Sequence, residues 1–127
     1  MPEKQLYRLV NNGQIAPEDF LMAQIFYIEG EGATERPQVT DENQLEARRQ
    51  AVSEVLAKFP GSTPEKVRMM SLRFGLEDRT ARSRDEVATI VGLSAGRVRI
   101  IEKEIVRRLR HPSITKNLKK FLPKQQT

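Results

Sequence analysis

Apolar positions recur at helical spacing along most of the chain, and no segment shows the alternation expected of a strand. A short apolar patch at residues 6–10 is followed by a turn signal at residues 11–13, Asn-Asn-Gly. Pro17 then begins a helix whose apolar residues continue to Ile28. The pattern therefore predicts an all-α protein.

A second long helix follows a predicted loop at residues 29–40, which contain two glycines and one proline. Asp41 is placed to cap this helix, and Phe59 is its last predicted residue because Pro60-Gly61 follows. Its apolar stripe comprises Leu45, Val52, Val55, Leu56 and Phe59.

Two later helix starts carry capping signals. Ser62 and Glu65 have the spacing of a capping box, and Gly75 is placed to end that helix in the left-handed conformation. Ser83 and Glu86 have the same capping-box spacing and predict a shorter helix.

Residues 83–110 have the pattern of a helix-turn-helix. Ala88 is the small residue at the helix crossing, and Gly92 tolerates the positive φ of the turn. Ser94 caps a second helix that extends to about Arg110, because a proline two residues later disfavours further helix. The shared apolar core is predicted at Val87, Val91, Leu93, Val98 and Ile101. A last turn or two then folds back onto the core through Leu118, Phe121 and Leu122.

Charge is divided unevenly along the chain of 127 residues, whose net charge is +5. Residues 1–60 carry 6 Lys and Arg against 10 Asp and Glu, a net charge of −4, and residues 61–127 carry 16 against 7, a net charge of +9. The basic part suits a polyanion partner, which would repel the acidic part. We therefore expect an acidic helical module, residues 1–60, followed by a helix-turn-helix domain, residues 61–127.

Residues 63–76 resemble the opening of region 4 in primary bacterial sigma factors of the sigma-70 family. The resemblance continues through residues 83–88, 98–102, 107–113 and 118–122. Its most specific strings are Arg-Phe-Gly-Leu at 73–76 and Leu-Arg-His-Pro-Ser at 109–113, which are more distinctive than a general helix-turn-helix pattern. It covers roughly the last half of the chain, and nothing in residues 1–60 resembles the promoter-melting region 2.

The resemblance implies that this part of the chain docks on the flap-tip helix of the RNA polymerase β subunit. Docking of an amphipathic helix needs a concave apolar surface. The positions that the resemblance implies for it are Leu72, Phe74, Ile105 and Leu109. Each of these positions also suits an ordinary core residue, and a small domain can use one residue for both purposes.

The resemblance also implies contact with double-stranded promoter DNA at the −35 element. The candidate DNA-binding residues are Ser83, Arg84, Ser94, Ala95, Gly96, Arg97, Arg99, Ile100 and Arg107. The family reads bases with Arg, Glu and Gln, and here those positions hold Ala95, Gly96 and Ile100, which cannot form paired hydrogen bonds with base edges. Glu104 replaces a family lysine. We expect electrostatic DNA affinity with weak or altered reading of a standard −35 element.

Catalysis is not expected. The chain has no cysteine, no glycine-rich phosphate loop and one histidine, His111, whose place before a proline favours a helix-capping role. We therefore predict no enzyme activity, no cofactor and no metal. The chain contains no run of 18 apolar residues, so no membrane-spanning helix is predicted, and its first residues lack the pattern of a secretion signal. We therefore expect a cytoplasmic, nucleoid-associated protein.

Three functional hypotheses follow. The leading one is a region-4-like transcription factor, either a stand-alone regulator or half of a split sigma factor whose acidic module contacts a separate region-2-like subunit. The second is a sigma mimic that occupies the polymerase flap without reading DNA. The third is a plain helix-turn-helix repressor that binds an operator and does not contact polymerase.

Overall fold

The computed structural model describes residues 3–26 and 42–121. Within these two ranges the chain forms α-helices and one 3-10 turn, with no strand, so the predicted all-α class is confirmed. The helices are α1 (Glu3–Asn11), α2 (Pro17–Phe26), α3 (Glu42–Lys58), α4 (Pro64–Phe74), α5 (Arg84–Val91), α6 (Ala95–Leu109) and α7 (Pro112–Thr115), and the 3-10 turn is Lys119–Phe121.

Helix α1 was not predicted, although its residues include the apolar patch at 6–10. Leu6 and Val10, four residues apart, are both buried, so one face of this nine-residue helix packs against the rest of the fold. A helix this short is marginal by itself and depends on tertiary packing. The local sequence therefore showed the turn at residues 11–13 but not the helix before it.

Helix α2 is buried on nearly all sides and lies against α1, α3, α4 and α6. It begins at Pro17 as predicted. The predicted extension to Ile28, the loop at residues 29–40 and the cap at Asp41 lie outside the described residues. A helix that is apolar around its whole circumference belongs in the interior of a protein.

The predicted N-cap of α4, which follows α3, is wrong by one residue. Thr63, not Ser62, caps α4, because its hydroxyl accepts a hydrogen bond from the Lys66 backbone N–H at 3.2 Å. Ser62 instead donates to the Leu56 carbonyl at 2.6 Å and ties α4 to the end of α3. The predicted Ser62–Glu65 capping box is therefore wrong. Gly75, with φ of 75°, ends α4 in the left-handed conformation, as predicted.

One apolar core unites the two ends of the chain. Residues of α1, α2 and α3 pack in the same cluster as residues of α4, α5 and α6. The predicted stripe of α3 contributes Val52, Val55, Leu56 and Phe59, while Leu45 is only half-buried. The division of the chain between residues 60 and 61 stays a prediction, and both parts contribute to this core.

The chain end folds back onto this core. His111 caps α7, its Nδ1 accepting a hydrogen bond from the Ser113 backbone N–H at 3.1 Å, which confirms the predicted capping role. Leu118 and Phe121 are buried, as predicted. Leu122 lies outside the described residues.

Candidate functional site

Helix α5 is held at its start by the predicted capping box. The Glu86 backbone N–H donates to Ser83 Oγ at 3.1 Å, and the Ser83 backbone N–H donates to Glu86 Oε1 at 3.0 Å. These two bonds satisfy two backbone donors that a helix start leaves without partners. The first helix of the helix-turn-helix therefore has a fixed start.

The turn and the second helix also follow the sequence pattern. Gly92 has φ of 76°, and Ser94 Oγ accepts the Arg97 backbone N–H at 3.1 Å to begin α6. Val87 and Val98 are completely buried between α5 and α6, and Ala88 is buried at the crossing. Leu93 is the exception among the predicted core residues, because 43% of its surface is exposed.

The outer face of α6 carries most of the predicted DNA-binding residues. Those that are exposed are Ser94, Gly96, Arg97, Arg99, Ile100 and Arg107, while Ala95 and Ser83 are partly buried. Exposed arginines on one helix supply charge that a phosphate backbone attracts. The structure therefore brings these candidates together on an accessible surface.

Arg84 differs from these residues, because its partly buried guanidinium is paired with an acid of α6. Its Nη2 donates to Glu102 Oε2 at 2.7 Å, and Glu102 is only 4% exposed. Arg73 Nε donates to the other carboxylate oxygen, Oε1, at 2.7 Å. Arg84 therefore forms a structural ion pair between α5 and α6, and its predicted contact with DNA stays a prediction.

Glu102 and Arg73 had no predicted role, although the apolar pattern of α6 contained a signal for Glu102. Glu102 lies four residues after Val98 and three before Ile105, both of which are buried. An acid on the apolar stripe of a helix needs a cationic partner, because burying an unpaired carboxylate is very costly. The carboxylate joins α4, α5 and α6 and so orients the helix-turn-helix.

Most of the residues implied for flap docking lie in the core of the fold. Phe74 and Leu109 have no exposed surface, Ile105 is almost completely buried, and Leu72 is half-buried. The Phe20 ring of α2 packs edge-on against Phe74, with centroids 4.7 Å apart. Phe74, Ile105 and Leu109 are therefore core residues in this structure, which is one of the two uses that the sequence left open, and their role in flap docking stays a prediction.

Polar contacts hold the amino-terminal helices on the helix-turn-helix. Arg110 Nη2 donates to the Gln24 carbonyl at 2.7 Å, which joins α6 to α2. Tyr7 donates its hydroxyl proton to Glu86 Oε1 at 2.9 Å, which joins α1 to the cap of α5. Two further bonds connect Asn11 with the Ala81 backbone.

The same contacts shift two pKa values. The Ser83 backbone N–H, and after it the Tyr7 hydroxyl, lower the pKa of Glu86 by stabilising its carboxylate. The hydrogen bond to Glu86 raises the pKa of Tyr7, because it stabilises the protonated form of the phenol. Glu86 therefore favours its charged form at the point where α1 meets α5.

Asp19 of α2 forms a buried ion pair with Arg48 of α3. Burial raises the pKa of Asp19, and the nearby Arg48 charge opposes that shift. The Asp19 carboxylate also accepts the Ala16 backbone N–H at 3.0 Å. This ion pair fixes α2 beside α3 and takes no part in the outer face of α6.

Comparison with known proteins identifies the segment that contains this site. Residues 63–111 match the family model for sigma-70, region 4. These residues are similar to sigma-70 region 4. The resemblance predicted from the sequence is thereby confirmed for the region 4 segment, which includes α4, α5 and α6.

The region 4 segment also matches curated relatives. The chain is 43% identical over 60 residues to the RNA polymerase sigma factor SigA of Listeria monocytogenes, of Listeria innocua and of Clostridium acetobutylicum. Each match covers 47% of this chain and 16% of the relative, so the chain corresponds to a small part of each sigma factor. A search of solved structures found no significant match.

The described residues contain neither a cluster of metal ligands nor a membrane-spanning helix. In residues 3–26 and 42–121, no group of three or more His, Cys, Asp or Glu side chains is arranged to hold a metal ion. No helix in these ranges has the length and apolar character needed to cross a membrane.

Proposed function

We propose that the chain acts as a sigma region-4-like transcription factor that binds RNA polymerase and contacts upstream promoter DNA. The observation that carries the proposal is the helix-turn-helix in a segment that matches sigma-70 region 4, with Arg97 and Arg99 exposed on its second helix. Its SigA relatives are named as RNA polymerase sigma factors. The proposal extends that role to this chain.

The proposed DNA surface is the outer face of α6 together with the start of α5. Arg97, Arg99 and Arg107 contact phosphates, and Ser83 and Ser94 lie at the two helix starts. Glu104 has the wrong sign for this surface, but Arg108 Nη2 donates to its carboxylate at 3.1 Å and offsets the charge locally. We leave Arg84 out of the surface because Glu102 binds it.

The proposed polymerase contact requires a movement of α2. Phe74 and Leu109 have no exposed surface, and the Phe20 ring of α2 packs against Phe74, so a partner helix reaches Phe74 only when α2 leaves. The β flap helix then takes the place of α2 against α4 and α6. Leu72 and Ile105 complete the proposed surface.

DNA binding is tested with the full chain and a fluorescent duplex of about 30 base pairs over a range of salt concentrations. Affinity falls steeply with salt, and replacing either Arg97 or Arg99 with Gln reduces the salt slope by about one unit. Lys58→Gln, an exposed cation on α3, is the matched control and leaves the slope unchanged. Failure to bind any duplex at low salt contradicts the DNA part of the proposal.

Flap binding is tested by locking α2 in place. The chain has no natural cysteine, so Gln24→Cys with Arg110→Cys provides a unique pair for a short bifunctional maleimide. The unlinked variant binds the isolated β flap, and the linked variant does not. Equal flap binding by both forms shows that the flap uses another surface, and no binding by either form rejects the flap as the partner.

A sigma mimic that does not read DNA is the second candidate. Ala95, Gly96 and Ile100 favour it, because none of their side chains offers a hydrogen-bond donor or acceptor to a base. Flap binding together with an absence of duplex binding supports the mimic. A plain repressor instead shows operator binding without flap affinity. A region-2-like partner of residues 1–60 stays a prediction.

A further inference from the structure

Three positions in the first two turns of α6 have side chains that cannot form hydrogen bonds. Ala95 is half-buried, while Gly96 and Ile100 are exposed. A Cβ atom added at Gly96 would meet nothing within 4 Å, so the space above this position is open. Another surface can therefore approach the backbone of α6 closely here.

Ile100 is the most exposed large hydrophobic side chain among the described residues, at 57%. The other two that are exposed, Ile90 at 44% and Leu93 at 43%, belong to the same helix-turn-helix. One exposed hydrophobic residue is ordinary on a protein surface. All three lie between residues 90 and 100, so the exposed large hydrophobic residues of the described ranges are concentrated in the helix-turn-helix.

The charges around Ile100 indicate the chemistry of a partner for this surface. Arg97 precedes Ile100 by three residues and Lys103 follows it by three, so both lie on the same face of α6, and both are exposed. An apolar spot between cations suits a polyanion that also carries apolar groups. In the major groove of DNA, the apolar group is the 5-methyl of thymine, and every other distinguishing group forms hydrogen bonds.

We propose that the start of α6 recognises thymine methyl groups in the major groove. Ile100 contacts the methyl groups, Gly96 lets the helix backbone approach the base edges, and Arg97 and Lys103 hold the flanking phosphates. The inference rests on the proposed DNA binding and adds a preference to it. It also gives a function to the altered base-reading positions, which cannot read bases through hydrogen bonds.

The test first selects preferred duplexes from a random library with the full chain. Selected sites contain thymines at fixed positions. Each selected duplex is then remade with deoxyuridine at those positions, which removes the methyl group and leaves base pairing intact. Affinity falls by about fourfold for each contacted methyl group, the ratio expected for one buried carbon. In a further pair of duplexes, a contacted thymine is replaced by cytosine or by 5-methylcytosine. The duplex with 5-methylcytosine regains part of the affinity that the cytosine duplex loses.

Two variants assign the preference to Ile100. Ile100→Gln loses the preference, so that it binds thymine and deoxyuridine duplexes with equal affinity when both are measured at low salt. Ile100→Val keeps an apolar side chain and retains the preference. Circular dichroism checks that both variants fold, which is expected for substitutions at an exposed position.

The outcomes separate this inference from the proposed function. If the wild-type chain binds duplexes with steep salt dependence but equally with thymine and deoxyuridine, methyl recognition is rejected while DNA binding stands. If it binds no duplex at low salt, the DNA part of the proposed function fails first. A preference that survives in Ile100→Gln also overturns the inference.

Discussion

Phe20 of α2 meets Phe74 of α4 edge to face, with ring centroids 4.7 Å apart and an interplanar angle of 74°. The Arg73 guanidinium lies 5.4 Å from both ring centroids. Edge-to-face pairs and cation–π contacts each add to the free energy of apolar burial. The contact therefore joins the acidic amino-terminal part of the chain to the region 4 segment at the residues implied for polymerase docking.

Replacing Phe20 with Ala is expected to weaken the hold of α2 on this cleft. We expect the free energy of unfolding to fall by about 3–5 kcal/mol, as for other buried phenylalanines. Urea denaturation measures the loss. Phe26→Ala, at the half-buried end of the same helix, is the control and costs less.

The same substitution is expected to raise affinity for the isolated β flap, because less free energy is needed to move α2. Fluorescence anisotropy with labelled flap measures this, and the milder Phe20→Leu serves if Phe20→Ala does not fold. A folded Phe20 variant that binds the flap no more tightly than wild type contradicts the displacement of α2.

Glu102 and Glu104 form a matched pair on α6. Glu102→Gln removes the charge that pairs with buried Arg73, so we expect a loss of about 3–5 kcal/mol in the free energy of unfolding. Glu104→Gln makes the same chemical change in an exposed pair with Arg108 and is expected to cost less than about 1 kcal/mol. Urea titration of both variants checks the difference. Similar losses would argue against a structural role for the buried network.

Gly75 and Gly92 allow the cost of a positive φ to be distinguished from the cost of a steric clash with an added Cβ atom. Both have φ near +75°, a conformation that costs other residues about 1–2 kcal/mol. A Cβ at Gly92 meets nothing, whereas at Gly75 it would lie 2.8 Å from the Thr80 carbonyl carbon. We expect Gly75→Ala to cost about 1–3 kcal/mol more than Gly92→Ala, measured by thermal unfolding. Equal losses would show that the backbone near Thr80 moves freely.

The α5 capping box is expected to make stability depend on pH. The pKa of Glu86 is lowered in the folded chain, so its contribution is fully present above the unfolded value of about 4.3 and is lost as pH falls through the folded value. Glu86→Gln should therefore lose less stability than wild type between neutral pH and pH 3. Urea unfolding at a series of pH values measures both.

Ser83→Ala tests the other side of the capping box and should cost about 1 kcal/mol at neutral pH. Ser53→Ala, an exposed position inside α3, is the control and has little effect.

Identical pH profiles for wild type and Glu86→Gln would show that the cap does not couple to protonation.

Local signals were predicted well because their physical causes lie within a few residues. The Ser83–Glu86 capping box, the left-handed Gly75 and Gly92, and the Ser94 cap are all present. The misplaced cap at Ser62 is informative, because its hydroxyl donates to the Leu56 carbonyl of the preceding helix instead of capping the next one. Local spacing alone does not distinguish between such partners.

The amino-acid sequence by itself determined the all-α class, the helix-turn-helix and the resemblance to region 4, because caps, turns and apolar spacing act over short stretches of chain. Tertiary structure alone decided that Phe74 and Leu109 are covered and that Arg84 pairs with Glu102. Both depend on residues that are distant in sequence: α2 and α4 are separated by more than 30 residues, and Arg84 and Glu102 by 18. Whether an apolar or charged side chain forms a surface or a core depends on which helix packs over it, and helical spacing does not specify that neighbour.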